Sequence, residues 1–123
     1  MTDAAHTRIA AVTGFLAVVL GAFGAHGLRE ILVQNGTTAI WEKAAFYHFI
    51  HAVMLFVVAG RRPFVAGVWW SFLAGIMIFS GSLYLLAVTN MKWLGAITPV
   101  GGFSFLAGWA WLFWSVEKNS GKK

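Results

Sequence analysis

The amino-acid sequence predicts an all-α integral membrane protein, a bundle of four transmembrane helices. Three observations carry that prediction: charges are scarce, they are clustered, and the apolar runs between clusters have the length of a bilayer. Of 123 residues, 59% are hydrophobic and 11% charged, with a mean hydropathy of +0.75. A soluble domain carries about a quarter charged residues so that its surface can face water. Here the charges sit at Asp3 to Arg8, Arg29 to Lys43, Arg61-Arg62, Lys92, and Glu117 to Lys123. The stretches between them approach the roughly 20 apolar residues that cross a hydrocarbon core. A chain of this length forms one domain, residues 1–123.

The first span covers residues 9–25. Arg8, the apolar run to Leu20 and the small residues Gly21 to Ala25 share the outward form of a secretory signal, but the segment is read here as a span. A short interfacial helix is expected near residues 28–33, stopped by Asn35-Gly36. Thr37 or Thr38 suits the cap of the next helix, whose span is 44–60 with a lead-in from Ala39. Arg61-Arg62-Pro63 is the tightest connection, with Pro63 suited to a helical first turn. Span three is 64–88, and Thr89 to Lys92 turns the chain into span four, 93–116. Within that last span Pro99 removes a backbone donor and Gly101-Gly102 loosens the helix, so a bend is expected. The polar tail should fray.

Four spans return the chain to its starting side. Arg8, Arg61, Arg62, Lys118, Lys122 and Lys123 lie on that side, against Arg29, Lys43 and Lys92 on the other. The positive-inside bias therefore expects both termini in the cytoplasm. Tryptophans agree, since indole rings favour the membrane boundary. Trp69, Trp70, Trp109, Trp111 and Trp114 would mark the cytoplasmic boundary, and Trp41 and Trp93 the outer one.

The net charge of +5 comes without a basic helix face or aromatic-basic motif, so the expected partner is the lipid bilayer and not nucleic acid. Cysteine is absent, which removes disulfides and thiolates. No Gly-rich phosphate loop, nucleophile elbow or carboxylate pair occurs. Asp3, Glu30, Glu42 and Glu117 all lie outside the predicted spans, so no acid is placed to couple protons.

What remains is a set of polar residues inside the spans. At the helical rise, His48 and His51 lie about 6 and 10 Å inward of Ala44, with His26 at the outer boundary. Ser80, Ser82 and Tyr84 fall roughly 12, 9 and 6 Å from the outer end of span three, and Thr98 about 8 Å into span four. All share the outer half. Buried imidazole is costly in hydrocarbon, which makes it a functional candidate. It can hydrogen-bond across helices, relay protons, or ligate metal or haem. His26, His48 and His51 are the weak metal candidates; no cofactor is predicted. His51, being deeper, is expected to pair with Ser80, Ser82, Tyr84 or Thr98. His48 is expected to meet solute or metal, and His6 to be solvated.

Glycines form the second pattern. Thr13, Ala17, Gly21 and Ala25 make a small-residue stripe on span one, Ser71 and Gly75 on span three, and Ser104 and Gly108 on span four. Such stripes let backbones approach where lipid offers no hydrophobic drive for association. Gly21, Gly24, Gly75, Gly81, Gly101, Gly102 and Gly108 are the packing candidates, within the molecule or in a homo-oligomer.

The runs Gly21-Ala22-Phe23-Gly24-Ala25-His26, His51-Ala52, Phe79-Ser80-Gly81-Ser82-Leu83-Tyr84, Thr98-Pro99-Val100-Gly101-Gly102 and Gly108-Trp109 resemble the family named domain of unknown function 423. That family is similar to eukaryotic proteins called transmembrane protein 256. The resemblance spans nearly the whole chain and implies a small bacterial inner-membrane protein of three or four spans. It implies no activity and no catalytic residue.

Two functions fit. The bundle either binds or passes a small solute or lipid headgroup through its outer polar layer, or serves as an accessory or scaffold subunit of a larger membrane complex. An enzyme ranks behind both, since no nucleophile–base pair is visible. A pocket enclosed by the helices favours the first, and a solid bundle with an outward groove favours the second.

Overall fold

Helix formation begins almost at the first residue. Thr2 is extended, and its hydroxyl accepts from the Ala5 amide at 3.1 Å, capping α1 (Asp3–Ala25). The helix therefore starts six residues before the expected span and carries His6 into the protein. The computed structural model describes residues 1–120, with side chains described through Val116. Lys122 and Lys123 lie outside the described residues, as do the side chains of Glu117 and Lys118.

After α1 come α2 (Arg29–Asn35), α3 (Thr38–Gly60), α4 (Ala66–Gly75), a π-helical turn (Ile76–Ser80), α5 (Gly81–Thr89), a 3₁₀ turn (Lys92–Ala96) and α6 (Thr98–Ser120). Gly36 ends α2 at φ 69° and Asn90 ends α5 at φ 60°, both left-handed as helix stops require. Four segments are long and apolar enough to cross a bilayer: Asp3–Ala25, Thr38–Gly60, Ala66–Thr89 and Lys92–Val116. The expected four-span, all-α architecture is present.

Two prolines behave otherwise than expected. Pro99 occupies the first turn of α6, where an amide N–H has no intrahelical partner in any case, so it removes no helical hydrogen bond, and the break in span four is the 3₁₀ turn that precedes it. Pro63 follows a cis peptide bond in the connection, and α4 starts only at Ala66. In that connection the Arg62 guanidinium donates to the carbonyls of Ala59 and Arg61 and pairs with Asp3 at 2.7 Å. The ion pair joins the start of α1 to the end of α3, although both side chains are exposed and such pairs contribute little.

The spans pack in sequence order: α1 on α3, α3 on the α4–α5 span, and that span on α6. Among the described residues no comparable packing joins α1 to α6, so each keeps a broad face free for lipid. Toward the side of the N-terminus, Ala10, Leu55, Val58, Trp69, Phe72 and Phe105 belong to the larger apolar cluster. Toward the far side Leu32, Trp41 and Ala87 form a smaller one. His6 is buried between Phe64 and Trp69, with ring centroids 4.5 and 4.7 Å away, and is not solvated. Trp41 and Trp69 are likewise buried, each filling a gap between helices.

Glycine sets the tightest seams. A Cβ at Gly75 would overlap Phe105, one at Gly108 would overlap Phe72, and one at Gly67 would overlap Trp111. Rings from α4 and α6 thus seat on each other's glycines. Gly101 meets the backbone of Phe79 in the π turn, and Gly24 meets the Trp41 indole. Gly102 makes ordinary contact with Phe79, whereas a Cβ at Gly21 or Gly81 would meet nothing within 4 Å. The expectation of close packing within the molecule is corrected at those two. Gly21 points from a helix at the edge of the row into open space.

Candidate functional site

The polar residues between the two apolar clusters are placed chiefly by α3. His48 faces α1 and α5 together. Its Nε2 lies 2.9 Å from the Thr13 carbonyl and its Nδ1 2.8 Å from the Tyr84 hydroxyl. A carbonyl only accepts, so Nε2 carries the proton, and the neutral ring then accepts the Tyr84 O–H at Nδ1. One imidazole ties three spans. Thr13 uses its own hydroxyl locally, donating to the Ile9 carbonyl at 2.7 Å.

His51 is bonded in the opposite sense. Its Nδ1 donates to the Tyr47 carbonyl at 2.8 Å, and Nε2 accepts from the Trp109 indole N–H at 3.0 Å. Its ring stacks on Phe105, with centroids 3.7 Å apart and planes 12° apart. None of the expected partners Ser80, Ser82, Tyr84 and Thr98 reaches His51. Three residues along a helix rotate a side chain by roughly 60° from its neighbour, enough to send His48 toward α1 and α5 and His51 toward α6. His51 is thus buried and bonded to another span as expected, though through Trp109 and beside a surface groove, while His48 is itself committed to interhelical bonds and not free for solute.

The hydroxyls are committed too. Ser80 donates to the Ala44 carbonyl at 2.8 Å, linking the π turn to α3. Ser82 donates to the Phe79 carbonyl at 3.0 Å and lies 2.6 Å from the Thr98 hydroxyl, closing the third span onto α6. His26 stands apart at the exposed end of α1, beside a shallow depression shared with Arg29 and Glu30. His26, His48 and His51 do not converge. Among the described residues, no group of three or more His, Cys, Asp or Glu is placed to hold a metal ion, and the lone pairs of His48 and His51 are already occupied.

Three residues outside the expected set complete this network. Trp41 donates to the Leu20 carbonyl at 2.8 Å and packs against Tyr84. Thr37 donates to the Ala87 carbonyl at 2.6 Å, and Asn35 to the Ala87 and Val88 carbonyls at 3.1 Å each. Those are end-of-helix acceptors that α5 leaves without amide partners. Thr37 and Asn35 thus cap a helix about fifty residues away in sequence, 50 and 52 positions from Ala87. Local signals identify both as cap and turn residues but give no hint of that distant partner.

Open space lies outside this network. A groove of about 480 Å³ runs between α3 and α6, lined by Tyr47, His51, Phe79, Phe103 and Trp109 among others. A larger one, about 870 Å³, lies between α1, α2 and α3. Ala17, Gly21, Ala25 and Ala45 give it a small-residue lining, and Val18, Phe46 and Phe49 make its apolar walls. Arg29 on α2 and Glu42 on α3 border it on the far side. Both are exposed, and neither joins an ion pair among the described residues.

The family model described as "Protein of unknown function (DUF423)" matches residues 20–102. That segment contains His26, His48, His51, Ser80, Ser82, Tyr84 and Thr98. The chain belongs to this family. It is 45% identical over 107 residues to the UPF0382 membrane protein YwdK of Bacillus subtilis, covering 82% of this chain and 86% of that one. To the UPF0382 inner membrane protein YgdD of Escherichia coli K12 it is 42% identical over 115 residues, covering 89% and 87%. To the UPF0382 membrane protein SAB0533 of Staphylococcus aureus it is 40% identical over 117 residues, covering 92% and 95%. No solved structure matches. The family's matched segment runs from the end of α1 to early α6, so it takes in α2, the whole second and third spans, and most of the residues that line the larger groove.

Proposed function

We propose that this small polytopic membrane protein binds a membrane lipid in the groove between α1, α2 and α3. Its proposed setting is the bacterial inner membrane, as the name of the Escherichia coli relative suggests, with both termini cytoplasmic. One observation carries the reading: an apolar trough of about 870 Å³, open to the side, is bordered by an arginine and a glutamate that pair with nothing else described. Passage of a solute through the bundle has less support. Interhelical bonds occupy His48, Ser80, Ser82 and Thr98. Charged side chains near a membrane boundary sit at headgroup depth, while a trough of alanine and glycine accepts an acyl chain.

Native mass spectrometry of the protein from mild detergent tests the reading. Phospholipid should remain bound to the wild type and be lost from Gly21→Leu, which fills the groove without touching the core. Equal lipid retention by the two proteins counts against it.

A second reading, an accessory subunit of a larger complex, is favoured by the outward opening of both grooves and by the apolar face of α6. Phe103, Leu106 and Phe113 there are more than 60% exposed. The same spectrum would then show another protein subunit in place of lipid.

A further inference from the structure

The two charges beside the larger groove have a chemistry that narrows its occupant. We infer that the groove selects phospholipids whose headgroup carries a primary ammonium, with Arg29 on the phosphate and Glu42 on the ammonium. This rests on the lipid-binding reading and names its ligand class. Arg29 stands at the start of α2 and Glu42 in the second turn of α3, so the opposite charges come from different helices that border one trough. They do not join each other in an ion pair, which leaves both available to a single zwitterion. The apolar walls Val18, Phe46 and Phe49 continue from that polar edge.

Each side chain matches one half of the headgroup. A planar guanidinium offers forked N–H donors that fit phosphate oxygens. A carboxylate needs hydrogen-bond donors, which a primary ammonium has and a quaternary choline nitrogen lacks. A phosphoglycerol headgroup satisfies Arg29 but brings no cation to Glu42. Glu30 lies on the other side of Arg29, beside His26 in the shallow depression, and Lys43 adjoins Glu42 in sequence without bordering the groove. Lys43 thus adds no second cation to the trough and Glu30 no second acid, so Glu42 is the residue that separates the headgroups. Exposed charges of this kind discriminate weakly, by about two- to fivefold.

The test uses the full chain in nanodiscs holding equal parts of dioleoyl phosphatidylethanolamine, phosphatidylcholine and phosphatidylglycerol, released for native mass spectrometry. The wild type should retain phosphatidylethanolamine over the other two by about two- to fivefold. Glu42→Gln should keep lipid but lose the preference, and Arg29→Gln should retain less of all three. Both sites are exposed, so melting temperature should be unchanged. Equal retention of the three lipids by the wild type overturns the headgroup inference and leaves the groove reading standing, as does a preference that survives Glu42→Gln. A wild type carrying no lipid, one carrying another protein in its place, or lipid retention unaffected by Gly21→Leu overturns both.

Discussion

At the scale of single residues, hydrogen-bond valence decides more than polarity. His48 has two ring nitrogens and two partners on different helices, so its value is that of a joint. Tyr84→Phe should leave its Nδ1 unpaired and cost about 1–3 kcal/mol, read as a lower melting temperature in detergent. His48→Ala should then cost less in the Tyr84→Phe background than in the wild type, because the pair is already broken. Additive losses would show that the two side chains are not coupled. At the other end of the core, His6 Nδ1 and Trp69 Nε1 are buried and have no hydrogen-bond partner among the described residues. An unpaired buried nitrogen destabilises, while the ring contacts of His6 with Phe64 and Trp69 are apolar in character. His6→Phe keeps those contacts and removes the nitrogen, and should melt no lower than the wild type. A clear drop would reveal a polar partner for His6 in the membrane.

At the scale of elements, small residues serve two opposite purposes. Along the α4–α6 seam they admit aromatic rings, and at Gly101 they admit backbone. Phe79 lies in the π turn, a wider coil than an α-helix, and α6 approaches it there with no side chain between. Gly101→Ala should therefore lower stability by about 1–3 kcal/mol, since backbone cannot swing aside as a side chain can. On α1 the same residue types leave a trough instead of a contact. Gly21→Ala should be neutral or slightly stabilising, because Ala is the better helix former by about 1 kcal/mol and open space receives its methyl. Thermal unfolding of both variants, side by side, checks the contrast. Equal losses would mean that α1 packs through Gly21 against a second copy or a partner.

At the scale of the whole molecule, the open matter is direction across the membrane. Three cationic side chains on the side of the N-terminus, Arg8, Arg61 and Arg62, lie within the described structure, and Lys118, Lys122 and Lys123 follow in the sequence. The opposite side has Arg29, Lys43 and Lys92. A reporter that works only in the cytoplasm should be active when fused after Lys123, and one that works only in the periplasm should be silent. The reverse pattern would place the larger groove's charged edge in the cytoplasmic leaflet. It would leave every internal contact unchanged.

The sequence by itself determined the number of spans, their order and the stop at Asn35-Gly36. Those features are local: bilayer length, charge spacing and helical rise act on neighbouring residues. Even there, the start of α1 moved because Thr2 supplies a cap, and Pro99 costs no helical hydrogen bond because α6 begins beside it. Only the tertiary structure decided which nitrogen of His48 bonds to which helix, that Trp109 claims His51, and that Asn35 and Thr37 cap α5. Only it separated Gly101, which packs, from Gly21, which lines a groove. Each depends on the rotation of one helix against another. In a bilayer that rotation follows from van der Waals fit and interhelical hydrogen bonds summed over the whole interface. A helix that is apolar all round carries no stripe to announce it.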